Sequence, residues 1–98
     1  MPGKLGIIGG GVMGEALLSC LLSRGLYEPE SVLVADLSHG RRQLLTEQYG
    51  VGTTHSNREV IDQSNIIVLA IKPQVFDAVA RDFSGIVASD PPLVLSIL

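Results

Sequence analysis

Hydrophobic positions along the chain fall into short blocks of two alternating kinds. "KLGII", Lys4 to Ile8, is a compact apolar run that ends at Gly9 and suits a buried strand. From Val12 to Arg24 the apolar residues take helical spacing instead. Ala16, Leu17, Cys20 and Leu21 form the expected buried face, with Gly25 as the stop. "LYEPE" reads as a turn and "SVLVA", Ser31 to Ala35, as a second strand. A second helix is expected from Ser38, a suitable N-cap, to Tyr49, with Leu44, Leu45 and Gln48 at helical spacing and Gly50 beyond its end. Val51 to Thr54 makes a short strand, and "HSNREVIDQS" a short helix. "NIIVLAI", Asn65 to Ile71, is the most strand-like run, nearly continuous in apolar residues as a strand covered on both faces must be. After "KPQ", Val75, Phe76, Val79, Ala80 and Phe83 mark a fourth helix, and "PPLVLSIL" a last strand.

Strands alternating with helices of this length require right-handed crossovers and a parallel sheet. The expected fold is therefore α/β, a Rossmann-like doubly wound parallel sheet forming a single domain over residues 1–98. Composition narrows the class further. A hydrophobic content of 46% supports a real core at this length and excludes disorder, and the absence of Trp leaves Leu, Ile, Val and Ala to build it. The net charge of −3, with basic residues scattered, gives no footprint for nucleic acid or an anionic membrane surface. No apolar run reaches the roughly 18 residues of a membrane helix, and the segment after Lys4 is too short for a signal peptide. Cys20 has no second cysteine for a disulfide or a metal site, which fits a reducing cytosol and a cytoplasmic location.

Candidate chemistry begins at Gly9. Gly9, Gly11 and Gly14 match G-x-G-x-x-G between the first strand and the first helix. In that pattern Gly9 permits the tight turn, Gly11 lets the backbone approach a pyrophosphate, and Gly14 lets the helix pack closely on the sheet. The helix N-terminus presents N–H groups and partial positive charge to the anion. Asp36 closes the second strand about 20 residues on, where a carboxylate accepts hydrogen bonds from ribose hydroxyls or serves as a turn residue. Its charge disfavours a 2′-phosphate: at about 4 Å each unit charge costs up to ~4 kcal/mol at intermediate dielectric. Arg41 and Arg42, one turn into the next helix, could offset that repulsion or simply lie on a solvated face. These residues leave the choice between NAD and NADP open. His39 and His55 have no evident acid–base partner, so no catalytic histidine is expected.

"GIIGGGVMGEALLSCLL", "TTHSNREVI" and "VLAIKPQVF", in this order and spacing, resemble the N-terminal domain of pyrroline-5-carboxylate reductases. "AIKPQ" is the most specific element, because many dinucleotide-binding domains share the glycines alone. The resemblance implies NAD(P)H-dependent reduction of 1-pyrroline-5-carboxylate to proline, in proline biosynthesis. By position it implies that Gly9, Gly11, Val12, Met13 and Gly14 line the pyrophosphate, with Asn57 near the adenosine ribose. Ala70, Lys72 and Pro73 would pass beside the nicotinamide end. "ADLSHGRR" departs from the family, which usually places Ser, Thr or Asn after this strand, and Asp36 puts the usual NADPH preference in question.

Read without the resemblance, Asn57 is sufficiently explained as the N-cap of "REVID", and Lys72 as an exposed residue or one facing the crevice. Reduction of an imine also needs a pocket for the substrate carboxylate and a proton at nitrogen. The resemblance implies that a C-terminal helical domain supplies these and forms the homo-oligomer, so the 98 residues alone are expected to be inactive. The alternatives are a non-catalytic dinucleotide-binding module and a related imine or hydroxyacid reductase.

Overall fold

The computed structural model describes residues 3–84 and 92–97. Pro91 and Leu98, at the ends of the last expected strand, lie outside them. The elements follow the expected alternation: β1 (Leu5–Ile8), α1 (Val12–Ser23), β2 (Val32–Ala35), α2 (His39–Tyr49), β3 (Gly52–Thr54), α3 (Asn57–Gln63), β4 (Ile66–Leu69), α4 (Phe76–Asp82) and β5 (Leu93–Ser96). Short 3-10 turns at Pro29–Ser31 and Pro73–Val75 lead into β2 and α4, each with its proline in the first turn, where a missing N–H costs nothing. The five strands are all parallel, in the order β3-β2-β1-β4-β5. This is the doubly wound α/β architecture expected from the sequence.

Side-chain alternation along the strands sends residues to two separate cores. Leu5 and Ile7 of β1, Val32 and Val34 of β2, and Val68 of β4 pack with Leu18 of α1 and Leu45 of α2. Ile8, Ala35, Ile67 and Leu69 point the other way, onto Val60 and Ile61 of α3 and Val79 of α4. Leu45, with no exposed surface, contributes on the order of 2 kcal/mol by its burial.

One sequence expectation about the helices needs correction. The buried face of α1 is Gly14 and Leu18, flanked by half-buried Leu17, Leu21 and Leu22, whereas Ala16 and Cys20 are exposed. Gly14 lies against the end of β1, and positions three, four, seven and eight residues beyond it share its face. In α2, Leu45 is buried, with Tyr49 partly buried four residues later, and Leu44 and Gln48 are exposed. The ends of α2 are as the sequence indicates. Ser38 accepts from the Arg41 N–H at 3.3 Å, and Gly50 closes α2 with φ of 75°.

Candidate functional site

Hydrogen bonds of the sheet continue past the strand ends and align three predicted site residues. The Gly9 N–H donates to the Ala35 carbonyl at 2.8 Å, the Asp36 N–H to Thr54 at 3.0 Å, and the Ala70 N–H to Ile8 at 2.9 Å. Gly9, Asp36 and Ala70 therefore stand level along the carboxyl edge. The chain reverses its direction across the sheet between β1 and β4, so this edge contains the topological switch point, where open α/β sheets bind ligands.

Each of the three motif glycines meets a different constraint. Gly9 has φ of +104°, and a Cβ there would also strike the Ala70 carbonyl oxygen. A Cβ on Gly14 would collide with the Gly9 carbonyl oxygen, so the close seating of α1 on the turn depends on its absence. Gly11 differs from both. It is the N-cap of α1 at φ of −74°, and a Cβ on it would meet nothing within 4 Å. The space in front of the helix end is therefore open. No side chain caps that end, and the first-turn N–H groups beyond Gly11 have no acceptor within the helix. Val12 and Met13 flank the opening and are exposed. An uncapped helix end facing open space beside a glycine fits a phosphate group.

Gly10, between these positions, is held on both sides by residues of the β2–α2 segment. Its N–H donates to Asp36 Oδ2 at 2.9 Å, and the Arg41 guanidinium donates to its carbonyl through Nε at 2.8 Å and through a second nitrogen. Asp36 Oδ1 accepts from the Ser38 N–H at 2.8 Å, so the carboxylate also acts as the turn residue that the sequence allowed. Arg41 pairs with Glu15 Oε1 at 2.8 Å, and the Tyr49 hydroxyl donates to Glu15 Oε2 at 2.7 Å. Arg42 donates to the Asp36 carbonyl at 2.8 Å. Neither arginine is thus part of a merely solvated helix face.

The hydrogen bond from Tyr49, followed by that from Arg41, holds the Glu15 carboxyl below its ordinary value, and the same contact with Glu15 pushes the Tyr49 phenol up. With the folded value depressed, Glu15 stabilises the fold above the unfolded value near 4.5, and the contribution is lost as pH falls through the folded one. Tyr49→Phe removes the larger cause. The Glu15 titration, followed by carboxyl carbon chemical shift, is expected to move up toward the ordinary value; an unchanged midpoint would refute the contact.

Beside the glycine turn, a crevice of about 680 Å³ opens at the carboxyl ends of β1, β2 and β3. Ile8, Ala35 and Val79 give it apolar surface, and Gly9, Asp36, His55 and Asn57 line it as well. Asn57 is not the cap of α3. Ser56 is, accepting from the Glu59 N–H at 3.3 Å, which leaves the Asn57 amide to donate to Asp82 Oδ2 at 3.0 Å across the crevice wall. Lys72 and Pro73 are exposed beyond the end of β4 and do not line this crevice; Lys72 is extended, as a residue before proline should be. Gly9, Gly11, Gly14, Asp36 and Ala70 are thus gathered around one turn, Asn57 stands across the crevice, and Lys72 and Pro73 lie on the far side of the switch point.

The model of the family described as NADP oxidoreductase, coenzyme F420-dependent, matches residues 4–98. The chain belongs to this family. Within the NADP oxidoreductases, the chain is 42% identical over 95 residues to a pyrroline-5-carboxylate reductase of Synechocystis sp., covering 97% of this chain and 35% of that protein. A solved pyrroline-5-carboxylate reductase from Coxiella burnetii superposes with a TM-score of 0.87 at 30% identity, over 96% of this chain and 34% of the other. The Plasmodium falciparum pyrroline carboxylate reductase, solved with NADP bound, gives 0.77 at 26% identity over 96% and 32%. The resemblance noted in the sequence therefore holds across the domain. The chain spans about a third of the length of the curated relatives it matches.

Proposed function

We infer that the domain is the cofactor-binding part of a pyrroline-5-carboxylate reductase, which reduces 1-pyrroline-5-carboxylate to L-proline with NADPH or NADH. The observation that carries this reading is the 42% identity across nearly the whole chain. The open glycine turn at the switch point supports it from the geometry. The backbone N–H groups at Val12, Met13 and Gly14 would hold the pyrophosphate, and Gly9 and Gly11 would keep its approach clear. Asp36 and Asn57 would face the adenosine ribose. Ala70, Lys72 and Pro73 would border the nicotinamide half. The bound dinucleotide supplies the hydride. The substrate-binding groups and the dimer contacts belong, in this reading, to a helical C-terminal domain, and the enzyme works in the cytoplasm.

Proline formation is the measurement that tests it. The full-length protein should oxidise NAD(P)H only when 1-pyrroline-5-carboxylate is added, and the 98-residue chain should bind cofactor without forming proline. Turnover by the 98 residues alone would sink the division of labour. A second reading is favoured by one structural neighbour: an imine reductase from Myxococcus stipitatus, solved with NAD+, superposes with a TM-score of 0.72 at 27% identity. Reduction of cyclic imines lacking a carboxylate, with no activity on 1-pyrroline-5-carboxylate, would select that reading instead.

A further inference from the structure

The β2–α2 segment combines two features that act on the same part of a bound dinucleotide. Asp36 is half-buried at the carboxyl end of β2 and lines the crevice. Its two carboxylate oxygens each accept one backbone N–H, from Gly10 and Ser38, which fixes the group in place and leaves acceptor capacity on both oxygens. Among the described residues the ion pairs are Arg41–Glu15 and Arg58–Asp62, so no cation is paired with the Asp36 carboxylate. The two arginines nearest in sequence are already engaged. Arg41 turns back to the Gly10 carbonyl and to Glu15, and Glu15 is itself held by the Tyr49 hydroxyl. Arg42 is tied to the Asp36 main-chain carbonyl rather than to its side chain.

We propose that this arrangement selects the dinucleotide with a free ribose 2′-hydroxyl, with Asp36 repelling a 2′-phosphate and Glu15 withholding the guanidinium that would neutralise it. The inference rests on the cofactor reading above and runs against the description of the family as an NADP oxidoreductase. A fixed carboxylate with unused acceptor sites suits a donor such as a ribose hydroxyl. A phosphate of nearly two negative charges meets the same oxygens without a counter-charge, and recruiting Arg41 to it would break the ion pair with Glu15 and the bonds to Gly10.

The test is parallel titration of the chain with NADH and NADPH, followed by calorimetry at low ionic strength. NADH is expected to bind at least about tenfold more tightly, since a single unit of uncompensated repulsion near a protein surface already exceeds that ratio. The ratio should shrink as salt is raised, because the penalty is electrostatic. Asp36→Asn should bring it close to one. Glu15→Gln removes the ion pair on Arg41 but leaves its bonds to the Gly10 carbonyl, and should raise NADPH affinity about threefold by loosening Arg41, in keeping with the strength of a partly exposed ion pair. Equal binding or an NADPH preference in the unaltered chain overturns the selectivity while leaving the cofactor site intact. Failure to bind either dinucleotide overturns the cofactor reading itself. An NADH preference that neither substitution changes removes Asp36 and Glu15 as its cause, and that outcome also counts against the proposal.

Discussion

Gly11→Val is expected to abolish dinucleotide binding in a chain that still folds. The new side chain enters space in which no atom lies within 4 Å of the Cβ position, at a φ of −74° that any residue adopts. Replacing glycine at an N-cap by an aliphatic residue costs about 1 kcal/mol, a drop of about 4–8 °C in Tm for a domain of this size. The same space is where a pyrophosphate must sit to reach the N–H groups of α1. Losing two charge-assisted hydrogen bonds, at about 1.5–3 kcal/mol each, weakens binding on the order of 100-fold or more. Calorimetry with the preferred dinucleotide and a thermal melt on one sample check both halves. Retained affinity would remove the turn from the site.

Gly14→Val is expected to do the reverse, striking the fold first. Its Cβ would overlap the Gly9 carbonyl oxygen, which belongs to the backbone and has no rotamer by which to move aside. Relief comes only from lifting α1 off the sheet, which uncovers Leu18 and the half-buried Leu17, Leu21 and Leu22. Overpacking against the main chain costs about 3 kcal/mol or more, a large part of the stability of a small domain. A urea-unfolding midpoint that matches the unaltered chain would show that the helix does not depend on this contact. Together the two substitutions separate a glycine needed for a ligand from one needed for packing, although both belong to one motif.

The order of the elements was legible because strand and helix periods alternate cleanly and Gly or Ser marks most boundaries. The rotation of α1 is not legible in its hydrophobic pattern. "VMGEALLSCLLS" is apolar on most of its circumference, so hydrophobicity alone does not choose a face. The close contact at Gly14 chooses it, and Leu18, four residues on, shares that face whereas Cys20 does not. At α3, Ser56 outcompetes Asn57 for the cap because one residue of register decides which side chain meets the Glu59 N–H. The Arg41–Glu15–Tyr49 chain was beyond the reach of local pattern. Arg41 and Tyr49 are 26 and 34 residues from Glu15, and only the packing of α2 beside α1 brings them together.

The double hold on Gly10 bears on what binding must accomplish. A glycine-rich connection that ordered only around its ligand would give up roughly 1–2 kcal/mol of backbone entropy per residue at that moment. Here Asp36 takes the N–H of the central residue and Arg41 its carbonyl, both from the β2–α2 segment. The disorder of the turn is lost when the chain folds, so the concave surface stands ready at encounter and the interaction free energy goes into affinity. Three consecutive glycines, the loosest tripeptide the chain contains, thereby become one of its most rigidly specified.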